Sequence, residues 1–493
     1  MAWTRAALAV TAAVAVAILV VSGGSSADPR TPAGPAGMPP PFLGTAVAGG
    51  GRLTAAVDAY GDVVDLRAAP AGPALIDNSA ARQAAGTVPA DTGIVPRVRI
   101  GGGPAQPLWR ADAVTQRYLP GTNVVRTVAR FGRMRVVVLV AAAGEELAVA
   151  VRAPAAVGVA LSVDADRTGW RLCREGCGGL IEAAAAADRR WLARARPLGA
   201  GAPAWARAMY ERSLLTLRAL TARRTGALAA GARDGWAYVW PRDAATAALA
   251  LQSAGYDDEA RRVARFLARL DLDAAARFSG AGEPVAGRTA QGDAAGWLRA
   301  AAAATGLRAR RAEPTWRAAA DYQEGEAGEY LGNAIAAGAG LGPFATPRGL
   351  VRRAGDPGSG LDSAAAWAVR PFARPAAFAA VRRTLLRLLG AGTPYGITPG
   401  AGWGGGADPW TAPTAWSAWA LAALAREEPG SARRRADRAA ALRLLADLRR
   451  AATAAGSLPE RVDATTGVPR STTPLAWSHA FAVLALRQLW PRR

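Results

Sequence analysis

The chain has 493 residues, 51% of them hydrophobic, which suits two or three domains with sizeable cores and excludes a disordered polypeptide. Its formal net charge is +22, carried entirely by Arg; the arginines are spread along an Ala-rich sequence, which argues for a compositional bias and against nucleic acid as partner, since a binding patch would be clustered. Weak, salt-sensitive attraction to an anionic cell surface fits the charge better, and a single His with two Cys falls short of a zinc ligand set, so neither a metal nor an organic cofactor is expected.

Residues 1–27 read as a signal peptide or N-terminal anchor. Arg5 precedes an apolar run from Ala6 to Val21, and Ser25-Ser26-Ala27 fits a small-x-small cleavage site. The run is short for a membrane span, which takes about 20 residues. Pro, Gly and Ala dominate 28–42, as in a linker. The chain is therefore expected to be exported, and to meet a membrane only through this leader if it is uncleaved.

Residues 43–198 show short β-branched runs between Gly and Pro turns. Leu53 to Leu66 carries Tyr60-Gly61-Asp62 as a hairpin turn, and Val124 to Phe131, Met134 to Val140, Leu147 to Val151 and Val157 to Val163 follow. This pattern predicts an antiparallel β-sandwich. Cys173 and Cys177 lie four residues apart; in an exported chain a small local disulfide is favoured over two free thiols, and it stabilises little beyond its own loop.

From 199 to 493 the apolar period becomes helical. Helices are expected over Pro203 to Leu220, Asp257 to Leu270 (three leading acids that complement the helix dipole), Pro375 to Leu389, Ala412 to Ala425, Ala432 to Leu448 and Leu475 to Leu489. Gly-rich loops join them, notably Ala391 to Asp408. Such helices with long Gly/Trp loops at one end suit a closed α-toroid whose site lies in the loop layer.

Three segments carry the chemistry. In Asp234-Gly235-Trp236-Ala237-Tyr238-Val239-Trp240-Pro241-Arg242-Asp243, the aromatics offer flat walls for the C–H faces of sugar rings, and Arg242 and Asp243 follow Pro241 at a helix start that fixes their direction. The bland alternative is that Asp243 only complements the dipole while Arg242 pairs with a surface acid. In Leu458-Pro459-Glu460-Arg461, a Glu after Pro in an interhelical loop presents a fixed carboxylate able to hold a water; alternatively Glu460 simply pairs with Arg461 or another Arg. His479 nearby reads as a packed, hydrogen-bonded residue. In Asp321-Tyr322-Gln323-Glu324-Gly325-Glu326, crowded carboxylates should raise at least one pKa, as a general acid needs; the alternative is an acidic helix start.

Trp240 to Ala245, Leu458 to Glu460 and Pro474-Leu475-Ala476-Trp477-Ser478-His479-Ala480 resemble, in order, blocks of glycoside hydrolase family 15, the glucoamylase-like family. Gln116 to Asn123 looks like a strand of that family's β-domain, and Gln291 to Trp297 and Asp408 to Trp416 look like helix starts of its catalytic domain. The resemblance implies a β-sandwich followed by an (α/α)6 barrel and inverting, exo-acting hydrolysis of α-glucosidic bonds; hydrolysis of trehalose is a variant of that reading. It implies Glu324 as general acid, Glu460 as general base, and Arg242 and Asp243 as holders of the terminal sugar, with Trp240 and Trp410 lining its pocket. The sequence departs from the family at Gln323, where Trp is usual, and the helical stretch is short. A non-catalytic, envelope-associated sugar-binding protein on the same fold is the second hypothesis.

Overall fold

The computed structural model describes residues 46–77, 93–165, 168–308 and 316–492. The expected leader (1–27) and linker (28–42) lie outside the described residues, and no helix among those described is long and apolar enough to cross a membrane.

Two antiparallel sheets form the N-terminal region. The first runs β1 (Ala46–Gly49), β2 (Thr54–Val57), β3 (Val63–Arg67), β5 (Ile94–Ile100), β11 (Val157–Val163), with β4 (Ala74–Asp77) on β3 and β6 (Gln106–Pro107) on β5. In the second, β7 (Ala113–Tyr118), β8 (Val125–Phe131), β9 (Met134–Ala143) and β10 (Glu146–Arg152) form an antiparallel meander, to which β12 (Arg171–Cys173) adds in parallel. Their inner faces share one core that includes Ala46, Ala48, Val63, Val125, Val138 and Val149. This is the expected sandwich. The Tyr60-Gly61-Asp62 turn is also where the spacing put it: Asp58 accepts the N–H groups of Tyr60 and Asp62 at 2.8 and 2.9 Å.

Side chains alternate across a strand, so β1 to β3 have a second face. There Val47, Ala56 and Val64 join the core of the helical region. These three strands are thus buried on both sides and have no exposed position. The outer face of the second sheet is covered by α1 (Gly178–Leu192) through Ile181, Ala184 and Ala185. That helix falls within the stretch read as sandwich alone. Cys173 and Cys177 are joined by a disulfide just before it.

The junction is tied at Asn123. Its backbone N–H donates to Asp188 (2.7 Å), its side-chain amide donates to the carbonyls of Gly49 and Leu215 (2.9 Å each), and its side-chain oxygen accepts from Arg212. Asn123→Ala takes a donor from two buried carbonyls and an acceptor from Arg212, which keeps Thr122 O at 2.9 Å. We expect a loss of about 2–4 kcal/mol in denaturant unfolding.

Nine α-helices follow among the described residues: α2 (Ala204–Leu220), α3 (Pro241–Ser253), α4 (Asp257–Leu267), α5 (Ala294–Thr305), α6 (Leu331–Ala337), α7 (Phe378–Gly390), α8 (Thr411–Glu427), α9 (Ser431–Ala451) and α10 (Ala476–Leu489). The Ala-rich α3, α8 and α10 are buried almost throughout, as helices apolar on all sides must be. Each packs on a more exposed partner: α3 on α4, α8 on α9, α10 on α2. Because α10 also packs on α3, the last helix returns to the first ones and the helical region closes on itself. A buried 3-10 segment, Ser363–Ala368, stands between α6, α7 and α8. The sequence pattern missed β13 (Ala345–Thr346), β14 (Gly349–Arg353) and β15 (Asp356–Leu361), a small sheet within the helical region.

Burial lifts the carboxyls of Asp58, Asp65, Asp243 and Asp362 to about 7 each and raises Asp62 as well. The folded chain therefore holds protons that the unfolded chain releases near pH 4, so the stability these groups contribute is full below about pH 4 and lost as pH rises through 7. His479 opposes them. Burial depresses its pKa, so its contribution is full above about pH 6.5 and lost below it. Several acids outweigh one His. The melting temperature is expected to be higher at pH 5.5 than at pH 8 by several degrees, checked by calorimetry in matched salt.

Candidate active site

The segment before α3 is held like a strand: Val239 and Phe278 exchange backbone hydrogen bonds at 2.8 Å each, and Ala230 N–H donates to Tyr238 O at 2.8 Å. Pro241 then occupies the first turn of α3, so Trp240, Arg242 and Asp243 leave a rigid helix start. Arg242 and Asp243 are each 4% exposed. Arg242 does not pair with a surface acid. Its Nη1 donates to Asp293 (2.8 Å) and Gln291 (2.7 Å), both at the start of α5, and its guanidinium lies 4.5 Å over the Trp477 ring. Burial is the main cause of the raised Asp243 carboxyl; Arg242 pulls it down, while Glu460 and Asp293 push it up.

Glu324 sits in a loop, not at an acidic helix start; α6 begins only at Leu331. Its φ is +57°, a left-handed conformation costing about 1–2 kcal/mol for a non-glycine residue. The loop enforces it. Glu324 N–H donates to Asp321 O at 2.9 Å, and Asp321 is gripped bidentately by Arg352 at 2.7 and 2.8 Å. The Glu324 carboxylate accepts from Trp240 Nε1 and Gln291 Nε2, both at 3.4 Å, and forms an ion pair with Arg288. The crowding of like charges expected around Glu324 is not observed. Asp321 is tied to Arg352 and Glu329 lies 3.2 Å from Arg317, so the charge touching Glu324 is a cation.

Glu460 comes from the loop between α9 and α10. Its backbone is fixed on both sides, with its N–H on Thr472 O (2.9 Å) and its carbonyl accepting from Thr411 N–H (3.0 Å). The carboxylate accepts from Ser471 Oγ and from Trp236 Nε1 at 3.3 Å, and does not pair with Arg461. Burial raises its carboxyl above the usual range; the Ser471 and Trp236 donors, Arg461 and Arg288 counter this. His479 is the packed residue that the sequence suggested. Its Nε2 accepts the Leu458 N–H (3.0 Å) and its Nδ1 faces Ser213 Oγ (2.9 Å), which anchors the same loop two residues upstream.

All six residues singled out from the sequence, Trp240, Arg242, Asp243, Glu324, Trp410 and Glu460, line one cavity of about 210 Å³. The sequence reasoning missed Arg288, Tyr322, Gln323, Trp403 and Trp477 as lining residues. Trp403 was legible as an aromatic in a Gly-rich loop; it packs edge-on to Trp410 with centroids 5.2 Å apart. Arg288 carried no motif. The indole nitrogens of Trp403, Trp410 and Trp477, the Gln323 side-chain oxygen and Arg242 Nε are buried without a hydrogen-bond partner among the described residues. Flat apolar walls bearing unpartnered donors and acceptors, with two carboxylates between them, suit a polyhydroxylated ring.

A model described as glycosyl hydrolases family 15 matches residues 204–276, which contain α2 to α4 and the Trp240 to Asp243 block. The fold is similar to that of a bacterial glucoamylase crystallised in complex with acarbose, with a TM-score of 0.65 and 13% identity over 95% of this chain and 96% of that one. Glucoamylase from Saccharomycopsis fibuligera also matches, with a TM-score of 0.47 and 14% identity over 58% of this chain and 94% of that one. No curated protein matches the chain. With a sandwich leading into a closed helical region, and the motif block placed at the start of α3, the chain has a glucoamylase-like fold and is similar to glycosyl hydrolases family 15 over the stretch that carries that block.

Proposed function

We propose that the chain is an inverting, exo-acting glycoside hydrolase of α-glucosidic bonds in oligosaccharides, trehalose among the candidates. The observation that supports this most is the meeting of Glu324 and Glu460, from separate loops, in one cavity floored by Arg242 and Asp243. The cavity is small, which suits a terminal sugar ring rather than the middle of a polymer. Glu324 is the general acid toward the glycosidic oxygen. Glu460, whose burial makes it a stronger base once ionised, takes the proton from a water on the opposite face of the ring. Acid catalysis requires that Glu324 be released from Arg288, a sugar hydroxyl taking over that contact. Inversion calls for about 6.5–9.5 Å between the two carboxyls, leaving room for the water. The reading carries export with it, through the leader at 1–27.

The test is incubation with maltose, isomaltose, panose and trehalose, followed by proton NMR. β-Glucose as first product is expected from at least one of them; α-glucose as first product would refute inversion. A sugar-binding protein without turnover is the second reading, favoured by the Arg288 ion pair on the acid and by Gln323 beside it. Saturable binding with no glucose released would select it.

A further inference from the structure

A second cavity, of about 550 Å³, lies on the seam between the two regions, where Gly50 of the β1–β2 turn meets the C-terminal ends of α1 and α2 and the first turn of α4. Leu251 of α3 lines it, eight residues beyond Asp243, so it lies about 12 Å along that helix from the catalytic pocket. Five arginines face it (Arg190, Arg194, Arg218, Arg223 and Arg262) against two acids, Asp258 and Glu259. The acids are already engaged. Glu259 takes ion pairs from Arg194 and Arg262 and a hydrogen bond from Trp191 Nε1 (3.3 Å), and Asp258 lies 3.5 Å from Arg261. Arg218 is half-neutralised by Asp188 at 3.5 Å and donates to Ala187 O at 2.9 Å.

Arg190 and Arg223 are exposed and have no side-chain partner among the described residues. Arg190, in the last turn of α1, complements that helix's dipole. Arg223 lies beyond the end of α2, and only its backbone is bonded, to Gly51 O at 2.7 Å. A smaller recess of about 100 Å³ continues along the seam; it shares Arg218 and Arg223 and adds Arg52. Guanidiniums gathered in a half-enclosed cleft repel one another unless an anion joins them, and their planar forks match phosphate oxygens. The volume is that of a small-molecule site.

We propose that this seam binds a small ligand bearing phosphate groups, clamped by Arg190, Arg218 and Arg223. The proposal is independent of the hydrolase reading. It is tested by calorimetric titration of the full chain with sodium pyrophosphate, and separately with glucose 1-phosphate, at about 50 mM salt, where surface charge is only partly screened. One saturable site per chain is expected with at least one of the two; the stronger binder tells an inorganic source from a sugar phosphate. Arg190→Gln/Arg223→Gln should weaken binding by at least about tenfold, with a melting temperature lowered by no more than a few degrees, since neither side chain has a hydrogen-bonded partner and only the dipole contact of Arg190 is lost. Arg99→Gln/Arg130→Gln removes the same charge from exposed strand positions far from the seam and should leave binding unchanged. Failure of both ligands to saturate, an unaffected Arg190/Arg223 variant, or an equal loss in the control pair would each overturn the proposal.

Discussion

Glu324→Gln and Glu460→Gln should each lower turnover on the best oligosaccharide by at least about 100-fold, the scale of a lost proton donor or acceptor. Both substitutions keep the shape of the side chain, so the loss should fall on kcat with little change in KM. The two variants need not behave alike at the level of the fold. Glu324 lies in a left-handed loop conformation held by the Asp321–Arg352 pair, and its carboxylate is partly exposed against Arg288, so glutamine there should leave stability nearly untouched. Glu460 is a half-buried carboxyl that desolvation pushes upward, so its neutral amide should be tolerated or mildly stabilising above neutral pH. Steady-state kinetics with thermal unfolding of both variants checks this. Full turnover in either one would remove that residue from the proposed acid and base pair.

Arg242→Ala should be the most damaging single change to both stability and activity. The guanidinium is buried against Asp293 and Gln291 and is the largest influence holding the Asp243 carboxyl down. Removing it leaves Asp293, buried behind the cavity, and Asp243, which lines it, without their cation, and breaking such a buried pair costs about 3–5 kcal/mol. The sign with pH follows from Asp243. Its carboxyl sits at about 7 with Arg242 present and rises further without it, so in the variant the acid escapes the penalty by taking up a proton where protons are plentiful. The stability loss should therefore be larger at pH 8 than at pH 5.5. Glucose release should be lost at both. Denaturant unfolding at the two pH values decides the matter; an equal loss at both would mean that the ionisation of Asp243 plays no part in it. Arg242→Lys should recover part of the stability but little of the activity, because an ammonium can replace Nη1 on Asp293 and Gln291 but not the planar guanidinium that lies over the Trp477 ring.

Much of the architecture was legible because each element buries a distinct face. The helices at 204–220, 411–427 and 476–489 match their expected spans to within two residues, since their apolar residues recur at helical spacing and Pro or Gly punctuates their ends. Strands β8 to β11 were equally plain from β-branched runs. β14 and β15 were not: Gly349–Arg353 and Asp356–Leu361 are Gly- and charge-rich, and β15 is largely exposed, so neither period nor hydrophobicity marks them. At the candidate site, the residues with a rigid local reason to point inward were found, as at Pro241 and Pro459. The ones set by tertiary contact were missed or misjudged. Arg288 belongs to no pattern, yet it carries the charge that meets Glu324; the local acids that seemed to crowd that carboxyl have partners of their own. Sequence neighbours are poor guides to electrostatic neighbours once long arginines can reach across loops.

The strands Ala46–Gly49, Thr54–Val57 and Val63–Arg67 belong to two interiors at once, with Ala46 and Ala48 turned one way and Val47, Ala56 and Val64 the other. Such a shared wall makes the two halves inseparable as expression units. Cut out alone, the C-terminal half would carry an oily scar where the wall had been and would tend to precipitate, and the N-terminal half would fare no better. Shuffling modules between relatives would have to move the wall along with whichever half is exchanged.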